Sequence, residues 1–99
     1  MTNILDEAKF LAGKIAKNYN PKKIVLFGSV ARGTNSSNSD IDFLIIKESS
    51  QTRPFRIKKV FESIRGVKRN YPLDTIVYTP SEIENPPWSV SPFVRHSYQ

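Results

Sequence analysis

The chain has no cysteine, one histidine and one tryptophan in 99 residues. Without cysteine there is no disulfide frame, thiol nucleophile or thiolate zinc site, and the lone His96 cannot complete an imidazole metal site. No apolar run approaches the roughly 20 residues that a membrane span requires, and no basic-then-apolar leader opens the sequence. A cytoplasmic location with no membrane contact is therefore expected. There is no internal repeat or low-complexity block, and so short a chain cannot build a second core, so residues 1–99 are expected to form one domain. Acidic residues are also scarce, nine against fifteen Lys and Arg, for a net charge of +6. That balance favours an anionic partner such as nucleic acid, nucleotide phosphate or an acidic protein surface, although small domains are often basic for solubility alone. With 38% hydrophobic residues and no cystine, the fold must rest on packing, or on a partner that covers apolar surface.

The apolar pattern gives an order of elements. Ile4, Ala8, Leu11, Ile15 and Tyr19 recur at helical spacing, with Leu5, Ala12 and Ala16 widening the stripe, and Asn20-Pro21 stops it. Asp6 and Glu7 fall in the first turn, where the helix dipole favours them. Lys23 to Phe27 reads as a strand buried on both faces, and Ile41 to Ile46 as a second strand. Between them Gly28-Ser29 opens a short helix closed by Gly33, followed by the polar loop Thr34 to Ser39. A third helix starts near Pro54, buries Ile57, Val60, Phe61 and Ile64, and is expected to be capped by Gly66. Leu73 to Tyr78 is a third strand, and Thr79-Pro80 begins a short fourth helix that Asn85-Pro86-Pro87 breaks. The expected fold class is α/β: a small mixed sheet with helices packed on it.

The chemistry lies in the middle of the chain. Gly28-Ser29 follows a strand, and ten residues later comes Asp40-Ile41-Asp42 at the start of another. Alternate strand residues share a face, so Asp40 and Asp42 can aim at one spot. Side by side and unpaired, two carboxylates repel and raise one another's pKa, a cost that a dication removes. Carboxylate oxygen suits Mg²⁺, which keeps few protein ligands and takes the rest from water and phosphate. Gly28 permits close backbone approach, and Ser29 offers a hydroxyl and an amide where an anion is favoured. Each half has a bland reading of its own, since Gly-Ser turns and Asp-X-Asp strand starts are common. Asp74, at the start of the third strand, could be an exposed strand-end residue. Arg32 could contact phosphate or simply close its turn onto a carboxylate. Arg53, Arg56, Lys58, Lys59, Arg65, Lys68 and Arg69 could form a solvated helix face or a platform for an acidic partner or nucleic acid.

Gly28-Ser29, Arg32-Gly33, Ser39 and Asp40-Ile41-Asp42, taken together, resemble the active-site signature of the DNA polymerase β-like nucleotidyltransferases. The chain resembles most closely their small stand-alone members, the minimal nucleotidyltransferases. The resemblance covers roughly Pro21 to Pro80. It implies a palm-like nucleotidyltransferase fold in which Asp74 joins Asp40 and Asp42 as catalytic and metal-holding carboxylates. It further implies Gly28, Ser29, Arg32 and Ser39 as nucleotide-binding residues, one or two Mg²⁺ ions, and ATP or another nucleoside triphosphate as substrate. Minimal members of this kind resemble antitoxins paired with a small helical HEPN-class partner, onto which they transfer AMP. Self-association is also compatible with the resemblance. Larger relatives carry extra domains for primer and template, for which this chain has no room, so nucleic acid is not expected as a template. Ser91-Pro92-Phe93-Val94-Arg95 is similar to the tail of the family, and the chain is expected to be a short or truncated member. The alternative is a non-catalytic module of the same fold that neutralises a partner by occlusion.

Overall fold

Asn3 begins the fold by accepting a hydrogen bond from the Asp6 amide, 2.8 Å from its side-chain oxygen. This cap satisfies one of the amides that a helix start leaves without an internal partner. The computed structural model describes residues 3–36 and 39–84. Helix α1 (Ile4–Tyr19) follows the cap and buries Ile4, Ala8, Leu11 and Ile15. Leu5 and Ala16, expected to widen that stripe, are exposed, and the acidic Glu7 is buried in their stead. Asn20 ends α1 in the left-handed conformation, φ 54°. Lys47 then reaches across from the end of the second strand, its ammonium 2.8 Å from the Tyr19 carbonyl, where cationic donors suit a helix C-terminus.

Three strands follow: β1 (Lys23–Phe27), β2 (Ile41–Ile46) and β3 (Leu73–Tyr78), in the spatial order β1-β2-β3. β1 runs antiparallel to β2, and β3 runs parallel to it. The five-residue helix α2 (Gly28–Arg32) lies between β1 and β2, and α3 (Arg53–Ser63) forms the crossover between the parallel pair. The strand bounds agree with the sequence reading, but the burial does not follow it at β1. Among the described residues that strand is an edge, and only Val25 is buried in it. Burial on both faces belongs to the central β2, where Ile41, Phe43, Leu44, Ile45 and Ile46 are all buried. A contiguous apolar run thus marks a buried strand without telling which neighbours bury it.

Register divides the sheet into two faces. Ile41, Phe43 and Ile45 on β2 and Val77 on β3 pack with Ile4, Ala8, Leu11 and Ile15 of α1 and with Val60 and Ile64 beside them. Ile57 and Phe61, expected in this core, are half-buried against it. Truncating a fully buried member such as Leu11 to Ala costs about 2–5 kcal/mol. Asp42, Leu44 and Ile46, which alternate with the core residues, belong to the other face. Ile64 occupies the C-cap of α3, while Gly66 lies two residues further on in the following turn, with φ 85°, instead of capping the helix itself.

α4 (Pro80–Glu84) is held by a reciprocal cap, as Thr79-Pro80 suggested. The Glu82 amide donates to the Thr79 hydroxyl, and the Thr79 amide donates to the Glu82 carboxylate at 2.8 Å. Arg56 joins this end of the sheet to α3. It is buried, 2.8 Å from Glu82, and donates to the carbonyls of Val77 and Gln51. Arg56 is thus a tie within the fold and no part of a solvated basic face. Trp88, Phe93, His96 and the Ser91–Arg95 tail lie outside the described residues.

Candidate active site

The carboxylates gather at one end of the sheet. In the ladder Asp42 pairs with Phe27 of β1 on one side and with Asp74 of β3 on the other. Residues paired across neighbouring strands project to the same face, so Asp42 and Asp74 stand side by side on the face away from α1 and α3. The parallel alignment of β3 creates this pairing, which explains a charge at the start of Asp74's strand. Asp40 lies just ahead of β2, exposed.

Asp42 is half-buried, Asp74 exposed. Burial, first, and then the negative charges of Asp74 and Asp40 push the Asp42 carboxyl above its ordinary value of 3.8. The three acids therefore share an electrostatic neighbourhood, yet they do not form a finished cage. Among the described residues, no group of three or more His, Cys, Asp or Glu side chains is arranged to hold a metal ion. The donor set suits a hard dication that completes its shell from water and phosphate oxygen, and not one that needs several protein ligands.

Gly28 forms the wall beside Asp42. Its φ is +80°, a conformation that residues with a Cβ rarely adopt. A Cβ built there would overlap the Asp42 Oδ2 and lie 3.3 Å from its Cγ. Two independent constraints, backbone angle and space, thus require glycine. Ser29 follows at the start of α2, and its hydroxyl donates to the Ser39 hydroxyl at 3.1 Å. The Ser39 oxygen also accepts from the Ser36 amide at 2.8 Å. This small network draws the segment leading into Asp40 back onto the turn after β1. Thr34 adds a backbone bond to the Ser29 carbonyl at 3.0 Å. Gly33, with φ 73°, closes α2, and Arg32 lies exposed on its last residue.

The fold therefore brings together Gly28, Ser29, Ser39, Asp42 and Asp74, with Asp40 and Arg32 at the margin. A wide groove bounded by Tyr19, Lys47, Ser49, Gln51, Lys59 and Glu62 lies elsewhere, beyond the far end of β2. Its charges are of both signs, and its most deeply placed cation, Lys47, already serves the end of α1. The carboxylate end has the residues that chemistry needs, whereas the groove has only volume.

Arg53, Lys58 and Lys59 of α3 are exposed, as are Arg65, Lys68 and Arg69 after it. Lys58 and Lys59 belong to the helix layer, on the opposite side of the sheet from Asp42 and Asp74, whereas the Arg53 guanidinium lies 5.5 Å from the ring centre of Tyr78, on the face of β3 that carries Asp74. Phe55 is exposed among these basic residues, with the Lys59 ammonium 5.7 Å from its ring centre.

Residues 4–97 match the model of the nucleotidyltransferase domain family, and the chain belongs to that family. Among curated proteins none matches it. Among solved structures, a candidate nucleotidyltransferase from Sulfolobus solfataricus is similar, with 28% identity and a TM-score of 0.62. The likeness covers 82% of this chain and 71% of that one. The three-stranded mixed sheet with its helices is thus a nucleotidyltransferase fold, and the protein is a transferase of nucleotidyl groups. Among the described residues no helix is long and apolar enough to cross a membrane.

Proposed function

We propose that the chain transfers AMP from ATP to an acceptor hydroxyl on a small helical HEPN-class partner, and acts as an antitoxin by doing so. The observation that carries the reading is the pairing of Asp42 with Asp74, hard against a glycine that leaves room for nothing larger than hydrogen. Asp42 and Asp74, with Asp40 beside them, would hold one or two Mg²⁺ ions. Bound there, the metal supplies charge neutralisation to the triphosphate and to the developing pyrophosphate. Ser29, with Ser39 on its hydroxyl, follows the glycine that abuts Asp42 and would contact the phosphates, as would Arg32, exposed on the same short helix. The acceptor oxygen attacks the α-phosphorus as its proton passes to a carboxylate such as Asp74. The bond from the α-phosphorus to the bridging oxygen breaks, and pyrophosphate leaves. Positioning and electrostatics supply most of the rate in such a transfer.

A basic helix layer complements an acidic partner surface. Occlusion without chemistry is the competing reading, favoured by the lack of a finished metal cage among the described residues. Incubation with ATP, Mg²⁺ and the product of the adjacent gene, followed by intact-mass measurement of that partner, separates the two. A gain equal to one AMP that disappears with Asp42→Ala supports transfer. A tight complex with no mass change, for wild type and variant alike, supports occlusion.

A further inference from the structure

Glu7 is the one buried carboxylate among the described residues, 4% exposed. Its position in the first turn of α1 explains an acidic residue but not a buried one. No Lys or Arg among the described residues forms an ion pair with it. Its contacts instead all run to a segment more than sixty residues away. The Asn70 amide donates to both carboxylate oxygens at 3.0 Å, the Asn70 side-chain Nδ2 to Oε1 at 2.9 Å, and the Tyr71 amide to Oε2 at 3.0 Å. Two consecutive backbone N–H groups are thus satisfied by a side chain and not by the sheet. Both amides are partly buried against α1, where leaving them unsatisfied carries a cost beyond the loss of the bonds themselves.

The next residue completes the connection. The Pro72 carbonyl accepts from the Ile41 amide at 2.9 Å, and Ile41 is the residue between Asp40 and Asp42. The segment is thus tied to α1 at one end and to the start of β2 at the other. Immediately after it, Leu73 pairs with Ile41 and Asp74 with Asp42. Where residues 70–72 lie decides where β3 begins, and where β3 begins decides what stands beside Asp42.

We infer that Glu7 is a positioning residue for the carboxylate pair: through Asn70, Tyr71 and Pro72 it sets Asp74 beside Asp42. The inference rests on the reading of that pair as the nucleotide-metal site. Glu7→Gln keeps the shape but sets an amide NH₂ against one of the donors, so the clamp loses a partner and gains a donor-donor conflict. Supporting groups of this kind typically cost about 10- to 100-fold in metal affinity or activity when removed.

Two measurements on the full chain decide it. The first is amide hydrogen exchange at Ile41 and Asp74, compared with Lys47, whose amide closes the far end of the same strand pair on the Tyr78 carbonyl. Glu7→Gln is expected to speed exchange at Ile41 and Asp74 about tenfold or more, the factor given by roughly 1.4 kcal/mol of lost local stability, with Lys47 little changed. The second is Mg²⁺-dependent ATP binding well below the melting temperature. Glu7→Gln should weaken it about 10- to 100-fold, while the core variant Ile15→Val, about two turns further along α1, binds as wild type. If Glu7→Gln does not fold, Asn70→Ala removes only the side-chain arm of the clamp and should shift both readouts in the same direction by less. Unchanged exchange at Ile41 and Asp74, or equal weakening by Ile15→Val, would overturn the positioning role. Wild type that binds no ATP with Mg²⁺ would sink the nucleotide reading, and the exchange result would still decide whether Glu7 sets the start of β3.

Discussion

The backbone of Gly28 and the carboxylate of Asp42 approach so closely that a methyl group cannot stand between them. Gly28→Ala meets both that overlap and a φ of +80°. The conformational term alone is about 1–3 kcal/mol. Relief of the overlap must move Asp42 or unwind the turn that carries Ser29. The expected result is a lower melting temperature together with loss of nucleotidyl transfer, read by calorimetry and by intact mass of the acceptor. Gly33→Ala tests the distinction, since Gly33 has a similar φ of +73° but nothing near its missing Cβ. It should lose stability while keeping more activity.

Asp42→Asn should abolish transfer and raise the melting temperature. Burial and the charges of Asp74 and Asp40 raise the Asp42 pKa in the folded state. Its ionisation therefore works against the fold. The penalty is absent below the ordinary carboxylate range, where the group is protonated folded or unfolded, and grows as pH rises through the raised value. Thermal melts should show the variant ahead by a few degrees at neutral pH, the scale on which one relieved charge moves so small a domain, with the gap closing toward low pH. A variant less stable at neutral pH would contradict the electrostatic picture.

Mg²⁺ and ATP should stabilise wild type together far more than either does alone. At a ligand concentration about 100 times the dissociation constant the gain is about 2.7 kcal/mol. In Asp42→Asn and Asp74→Asn the gain should vanish. Retention of the full shift in either variant would place the nucleotide elsewhere.

Arg56→Met leaves Glu82 with the looser Arg53, 4.0 Å away, in place of its 2.8 Å partner, and the Val77 carbonyl without the Arg56 donor. The Glu82 side chain keeps 23% exposure, so water recovers part of the loss. We expect destabilisation of about 2–3 kcal/mol, below the roughly 3–5 of a fully enclosed pair, measured by urea unfolding. Burial by itself would raise the Glu82 pKa, but hydrogen bonds from Arg56 and Thr79 and the charges of Arg56 and Arg53 outweigh it and hold the group below its ordinary value of 4.5. That contribution is present above the ordinary value and disappears as pH falls through the lowered one. Urea titrations of wild type and Glu82→Gln should therefore differ at neutral pH and converge in acid.

Local pattern was enough for every described strand and helix, because each has its own period or its own punctuation: Asn20-Pro21, Gly28, Gly33 and Thr79-Pro80. The spacing of Gly28-Ser29 and Asp40-Ile41-Asp42 likewise singled out segments that the fold brings together, with Gly28 against Asp42. What the sequence withheld depends on partners far along the chain. Glu7 and Arg56 both read as surface charges, one suited to a helix start and one to a basic stripe. Each is buried because backbone groups at residues 70–71 and 77 need it, and nothing within a helical turn reports that need. For the same reason β1 read as buried on both faces and is, among the described residues, an edge: its side chains say that it is apolar, and only the strand order says what lies beside it.

The helix layer, with Lys58 and Lys59 exposed on it, and the carboxylate end lie back to back across a single sheet. On the proposed reading, an anionic partner held by Lys58 and Lys59 would sit behind the carboxylate pair and not on it. Such an arrangement permits grip and chemistry to act on two different molecules, or on two distant parts of one flexible molecule. It also means that raising ionic strength should loosen the grip from behind without closing the door in front.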